Sequence, residues 1–247
     1  MITKSEPKER IPVTAMLLAG GYGMRMHDAT GGAYPKHLYK IGGETLLEHS
    51  LKPFRAANVQ RTVLMLGNMA AMIADHFDGS EVETHIVEEP IGIIPEIQLA
   101  IDSLSIEGDI ILTEGDSIRS NLDIARLYEQ HRQSNANATV AVTSRPLEGA
   151  SGYHGVILGD QDEVSRVLQP GGNVQNKFPM IGLVALSESA VTLLLDASEE
   201  VTGWSSMLSV LHDASNMYAS IQEVDYFNVN TPKIANDAEV FLGSRKP

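Results

Sequence analysis

The sequence contains no cysteine, which excludes disulfides, a thiolate nucleophile and any cysteine-based zinc site. Positive charge is scarce: 18 Lys and Arg stand against 32 Asp and Glu, for a net charge of −14. That balance argues against nucleic acid or an anionic membrane as a partner, because both require basic patches. No apolar stretch approaches the ~18 residues of a membrane span. The opening Met1 to Pro12 is polar and charged, lacks an apolar h-region, and does not read as a signal peptide. A cytoplasmic location is the expectation. The eight histidines show no metal-ligand spacing. What is present is ordinary for a globular protein, with 43% hydrophobic residues in a chain of 247.

The chain is organised around Val13 to Lys36. Val13 to Ala19 is a near-continuous apolar run, suited to a strand buried on both faces. Gly20, Gly21 and Gly23 follow, where backbone N–H groups can approach a ligand without a Cβ in the way. Arg25 and Lys36 add two cations, both expected on a surface loop. A strand, a bare-backbone loop and two cations suit a triphosphate. A Walker loop is excluded, since no Gly-Lys-Ser/Thr occurs. A dinucleotide fingerprint starting at Gly21 would need a small residue where Met26 stands. In isolation the segment also reads as a strand with an ordinary glycine turn.

Leu18-Ala19-Gly20-Gly21-Tyr22-Gly23-Met24-Arg25, then Pro35-Lys36-His37-Leu38, Ile41-Gly42-Gly43 and Leu46-Leu47 together resemble the signature of the sugar-1-phosphate nucleotidyltransferases. The form is closest to the short mannose- and heptose-phosphate guanylyltransferases. Met26 and His37 depart from the usual residues without touching the phosphate-binding groups. The resemblance implies that Leu18, Ala19, Gly20, Gly21 and Gly23 form a nucleotide loop. It also implies that Arg25 serves the leaving pyrophosphate and Lys36 the α-phosphate. Substrates would be a nucleoside triphosphate and a sugar 1-phosphate; a homo-oligomer is left open.

Downstream, apolar strands alternate with amphipathic helices as far as Thr143, which predicts an α/β fold with a mostly parallel, doubly wound sheet. Helices are expected over Thr45–Ala57, Ala70–Phe77, Pro95–Leu104 and Leu122–Gln133. The remainder is more irregular: paired strands at Gly155–Gly159 and Glu163–Leu168, a strand at Pro179–Leu186, and a helix from Ser187. With no repeat or linker, we expect one domain spanning residues 1–247. Residues 11–143 would form its nucleotide-binding half, and 144–247 a smaller, mixed sugar-phosphate half.

Ile110 to Thr113 leads into Glu114-Gly115-Asp116-Ser117, placing Asp116 beyond the C-terminal end of a buried strand, where α/β sheets bind ligands. Asp116 reads either as a turn aspartate or as a Mg²⁺ ligand; the resemblance implies the metal, Mg²⁺ or Mn²⁺. Asn230, in Phe227-Asn228-Val229-Asn230-Thr231-Pro232, would be its second ligand, with Asn228 as the alternative. Gly115-Asp116-Ser117 also suggests a GDS-type esterase, but the Asp-x-x-His partner pair is missing. Val87 to Gly92 resembles the base-recognition turn, implying that Glu89 and Gly92 contact the base and that guanine is preferred; Ile93 stands where Thr is usual. On the sugar side the acid, lysine and amide of the family are replaced by Leu168-Gln169-Pro170 and Met180-Ile181-Gly182, with Lys177 as the nearby cation. That change points to an unusual sugar or cyclitol phosphate, or alternatively to a catalytically weak nucleotide-binding regulator.

Overall fold

The computed structural model describes residues 9–89, 91–147, 152–171, 177–197, 203–214 and 216–245. Pro90 of the base turn and the first eight residues of the N-terminal stretch lie outside them. The apolar run forms β1 (Ile11–Ala19). Val13, Ala15, Leu17 and Ala19 pack into one core and Met16 into another, so both faces of the strand are buried and the run has no polar alternation.

The short α1 (His27–Thr30) and the hairpin of β2 (Lys40–Ile41) and β3 (Glu44–Thr45) follow the glycine loop. Next come α2 (Leu46–Ala57), β4 (Val59–Leu66), α3 (Ala70–Phe77), β5 (Glu83–Ile86) and α4 (Ile93–Leu104). The middle holds β6 (Ile110–Glu114), β7 (Ser117–Ser120), α5 (Ile124–Gln133), β8 (Ala138–Thr143), β9 (Gly155–Leu158) and β10 (Val164–Leu168). The chain ends with β11 (Phe178–Leu186), α6 (Glu188–Leu195), α7 (Trp204–Ala214), β12 (Met217–Gln222), β13 (Asp225–Asn228) and α8 (Pro232–Ser244).

Among the described residues nine strands form one sheet, whose main path runs β5-β4-β1-β6-β11-β8-β12. β11 lies antiparallel to both of its neighbours, β6 and β8, and the other strands of this path are parallel. β9 and β10 branch from β11 as an antiparallel pair. Residues of α2, α3 and α5 fill the core on one face, and those of α4, α6 and α7 fill the other, giving the expected doubly wound α/β architecture. No helix among the described residues is long and apolar enough to cross a membrane.

The helices expected from periodicity are present, with local causes for their ends. Thr45 and Glu48 form a capping box at the start of α2: Thr45 Oγ1 accepts from the Glu48 N–H at 3.2 Å, and Glu48 Oε2 accepts from the Thr45 N–H at 2.6 Å. Thr45→Ala is expected to lower stability by ~1 kcal/mol, read as a reduced midpoint in urea at unchanged slope. A third apolar cluster lies beneath the glycine loop. It joins Met26, Ile41, Leu46 and Ile118 to Val229, Ala235 and Ala238 of the C-terminal segment. Met26 is fully buried there, so this residue anchors the loop on the body of the fold.

Candidate active site

β1 and β6 are adjacent and parallel, so their C-terminal ends deliver the glycine loop and Gly115-Asp116 to the same edge of the sheet. The site is completed by an element that sequence patterning did not show. β7 and β13 form a separate antiparallel pair, with Ser117 opposite Asn228 and Ser120 opposite Asp225. The Val229 N–H donates to the Asp116 carbonyl at 3.0 Å, extending that ladder by one step. Residues more than a hundred positions apart are thereby held side by side.

Lys36 Nζ donates to Asp116 Oδ2 and, at 2.9 Å, to Asn230 Oδ1. Asn230 Nδ2 donates to Asn228 Oδ1, and Asn228 Nδ2 donates at 3.0 Å to Glu114 Oε2. Gly23 makes room for the lysine: its φ is +62°, and a Cβ there would lie 3.1–3.3 Å from the Lys36 stem. The two loop cations differ in environment. Arg25 is exposed, as expected for a surface loop, whereas the Lys36 side chain is 11% exposed and is engaged by acidic and amide oxygens.

Asp116 is buried. Burial alone would raise its carboxyl, but the Lys36 ammonium pulls it below the ordinary carboxylate range. His37 is fully desolvated, and burial pushes its imidazole down to about 4, against the opposing pull of Asp116. Burial, and then the charge of Asp116, push the Glu114 carboxyl up to about 7, with Arg119 opposing.

Two cavities meet at this ledge. The first, of about 440 Å³, is lined by Leu18, Gly20, Gly21, Arg25, Lys36 and Asp116 on one side, and by Gly92, Ile93 and Glu96 on the other. The second, of about 480 Å³, is bounded by Tyr153, His154, Met180, Gly182, Leu208 and Tyr226. Arg25, Glu114, Trp204, Asn228 and Asn230 belong to both walls. The arrangement therefore offers an anion-binding junction between two compartments.

The sequence-derived site residues divide accordingly. Leu18, Gly20, Gly21, Arg25, Lys36, Gly92, Asp116 and Asn230 share the wall of the first cavity. Ala19 is buried in the core, and Gly23 acts by passing the lysine. Glu89 is exposed and lies away from this wall. Lys177 Nζ donates to the Tyr153 carbonyl at 2.7 Å, and its stem crosses Gly155, next to the second cavity.

Asp116 Oδ1 is buried and has no hydrogen-bond partner among the described residues. An orphaned carboxylate oxygen beside an amide oxygen is a donor set suited to a hard cation that takes its remaining ligands from water and phosphates. Among the described residues no group of three or more His, Cys, Asp or Glu is placed to hold a metal, so a closed all-protein cage is not what these residues build.

The family model for nucleotidyl transferases matches residues 14–177. The chain belongs to the nucleotidyltransferase family. A relative from Sulfolobus acidocaldarius, named for mannose-1-phosphate guanyltransferase activity, is 27% identical over 176 residues, covering 70% of this chain and 46% of its own. The bifunctional protein GlmU of Corynebacterium aurimucosum is 28% identical over 162 residues, covering 63% of this chain and 32% of its own. The chain thus spans less than half the length of these curated relatives. A UTP-bound UGPase from Acinetobacter baumannii superposes with a TM-score of 0.80 at 16% identity, covering 96% of this chain and 95% of that one. HddC from Yersinia pseudotuberculosis, solved with GMP-PN, gives 0.73 at 20% identity, covering 93% and 99%.

Within this nucleotidyltransferase fold, sequence reading missed Glu96, Glu114 and Trp204. Glu96 lies in the first turn of α4, where its Oε1 accepts from the Ile91 N–H at 3.3 Å and the side chain borders the first cavity. Burial raises its carboxyl above the ordinary range. Glu114 was legible in principle, because it ends the strand whose C-terminal edge carries Asp116. Trp204 opens a helix from an irregular segment, and nothing in its local pattern marked it.

Proposed function

We propose that the chain transfers a nucleoside monophosphate from a nucleoside triphosphate to a sugar 1-phosphate or related cyclitol phosphate, releasing pyrophosphate. The convergence of Lys36, Asp116 and Asn230 at the junction of two cavities carries this reading. The first cavity would take the triphosphate along the glycine loop, and the second the acceptor. An acceptor phosphate oxygen attacks the α-phosphorus in line. The bond from that phosphorus to the bridging oxygen breaks, and pyrophosphate leaves with the electron pair. Lys36 offsets charge on the α-phosphate, and Arg25 offsets charge on the departing pyrophosphate. Rigid placement of the two reactants supplies much of the remaining advantage.

Asp116 and Asn230 would hold Mg²⁺ or Mn²⁺, which contributes Lewis-acid neutralisation of phosphate charge when bound. Asn230 Oδ1 shares the Lys36 ammonium with Asp116, which favours Asn230 over Asn228 as the amide ligand. The presence of both cations and the acidic partner supports a transferase over a catalytically weak regulator. In this reading residues 11–143 handle the nucleotide and 144–247 the acceptor. A pyrophosphate-release assay with each triphosphate and a panel of sugar 1-phosphates tests it. Turnover on at least one acceptor is expected; tight triphosphate binding without turnover on any would sink the transferase.

The base is expected to be guanine, whose N1 and N2 donors complement a carboxylate. Two acids flank Gly92, and they differ in burial: Glu89 is exposed, while Glu96 borders the cavity. In a four-way triphosphate competition, GTP should lead. Glu89→Gln should reduce that preference more than the maximal rate if the turn folds over the base, and Glu96→Gln takes that effect if the cavity wall reads it. A charge-assisted pair of this kind is worth ~1.5–3 kcal/mol, or roughly 10- to 100-fold in selectivity. A preference for a pyrimidine nucleotide would overturn the guanine assignment and leave the transferase intact.

A further inference from the structure

Glu114 is the single carboxylate on the wall of the second cavity among the described residues. Its two oxygens are treated differently. Oε2 accepts from Tyr226 Oη at 3.1 Å, Asn228 Nδ2 at 3.0 Å and Ser117 Oγ at 3.4 Å. Oε1 accepts no hydrogen bond among the described residues, and the Glu114 side chain lines both cavities. The three contacts on Oε2 fix the carboxylate in place and leave Oε1 available to a donor on a bound ligand.

The neighbours maintain this asymmetry. Arg119 is buried beside Glu114 yet gives its protons to backbone: Nε donates to the Ile181 carbonyl at 2.6 Å and Nη2 to the Gly182 carbonyl at 3.0 Å. The guanidinium thus supplies field without occupying the acid. Gly182 has φ +64°, and a Cβ there would stand 2.3 Å from Glu114 Oε2, so the strand opposite is cut back to admit the carboxylate. Through Asn228 and Asn230 the acid is connected by hydrogen bonds to Lys36, the cation at the phosphate junction.

We propose that Glu114 is a specificity-determining residue whose open oxygen accepts a hydrogen bond from the acceptor hydroxyl adjacent to the phosphate-bearing carbon, an inference that rests on the transferase reading. The position follows from the shared wall. A phosphate held at the Lys36 junction leaves the next carbon of the acceptor at the mouth of the second cavity, where Glu114 stands. Tyr153, Trp204, Met180 and Leu208 then offer apolar surface to the remainder of the ring. A pocket that presents a fixed, otherwise unpaired acceptor rejects a ligand lacking the matching donor.

The test is a binding measurement, independent of turnover. Calorimetry with a non-hydrolysable triphosphate present compares glucose 1-phosphate and mannose 1-phosphate with their shared 2-deoxy analogue. The wild-type chain is expected to bind at least one hydroxylated form roughly 10- to 100-fold more tightly than the deoxy compound. Glu114→Ala should bind both within ~2-fold. Where thermal unfolding shows that Glu114→Ala does not fold, Glu114→Gln is the substitute. It keeps the shape and loses the charge, and should cut the ratio by at least ~3-fold. A wild-type chain that binds the deoxy analogue as well as the hydroxylated forms, or a folded variant with an undiminished ratio, overturns the proposal. Selective binding without pyrophosphate release would sink the transferase reading and leave the Glu114 assignment standing.

Discussion

Lys36→Met is expected to lower turnover by roughly 10²- to 10³-fold, the loss typical of one preorganised charge contact on a reacting phosphate. It is also expected to destabilise the chain, which its position on a loop alone would not suggest. Lys36 is the contact that holds Asp116 below the ordinary carboxylate range against burial. Without it the desolvation of Asp116 loses its largest opposing charge, leaving His37 and Arg119, and the carboxyl is expected to move above its unfolded value. The sign then follows from proton linkage. In the parent chain the Asp116 contribution is present above the unfolded pKa and is lost as acid protonates the folded carboxylate. In the variant a raised carboxyl is neutral below its unfolded pKa without cost, and stability falls as pH rises through the new value. The two chains should therefore differ by about 3 kcal/mol at pH 7, the lower end for breaking a buried pair, and the difference should shrink as pH falls below the unfolded carboxylate value and through the lowered Asp116 value of the parent. Urea unfolding across that range, in chelator-treated buffer, measures it. Arg25→Ala is the contrasting case. That side chain is exposed and makes no ion pair among the described residues, so turnover should fall without a change in unfolding midpoint. Equal destabilisation of both variants would refute the distinction.

The difference between these two cations shows where sequence reading stops. Each is a basic residue near three glycines, and local pattern treats them alike. Burial of Lys36 depends on Asp116 and Asn230, which reach it from eighty and almost two hundred residues away. The long strands and helices were legible because their periodicity is set by burial against a core, and Thr45, Ser187 and Asn58 mark helix ends by local chemistry. The pair formed by Ser117–Ser120 and Asp225–Asn228 was not. Both strands are four residues long and mixed in polarity, and their pairing is stabilised by each other rather than by any internal repeat. That ladder is what gathers Glu114, Asp116, Asn228 and Asn230, so the parts of the site were readable singly and their assembly was not. Glu89 illustrates the reverse risk. A motif fixed its position in the chain, while the exposure of the turn and the wall position of Glu96 are properties of the packed helix α4.

Asp116→Asn is expected to have the larger catalytic effect of the site substitutions, on the order of 10³-fold or more, because it removes a charge from both the lysine contact and the proposed metal site. Amide nitrogen and oxygen preserve the side-chain shape, so loss of packing does not explain the result. Activity of the parent chain should require added Mg²⁺ or Mn²⁺ and disappear with EDTA. In Asp116→Asn the residual rate should no longer saturate over the range of metal concentration that activates the parent. Asn230→Asp should instead stay active and reach half-activation at lower Mg²⁺, since a second carboxylate binds a hard cation more tightly than a neutral amide. The neighbouring amide provides the check on assignment. Asn228 Nδ2 donates to Glu114, so Asn228→Ala should weaken acceptor binding more than metal activation. A metal-activation defect confined to Asn228→Ala, with Asn230→Ala harmless, would move the second ligand two residues upstream. A parent chain fully active in EDTA would remove the metal from the mechanism and leave Lys36 and Arg25 as the groups that offset phosphate charge.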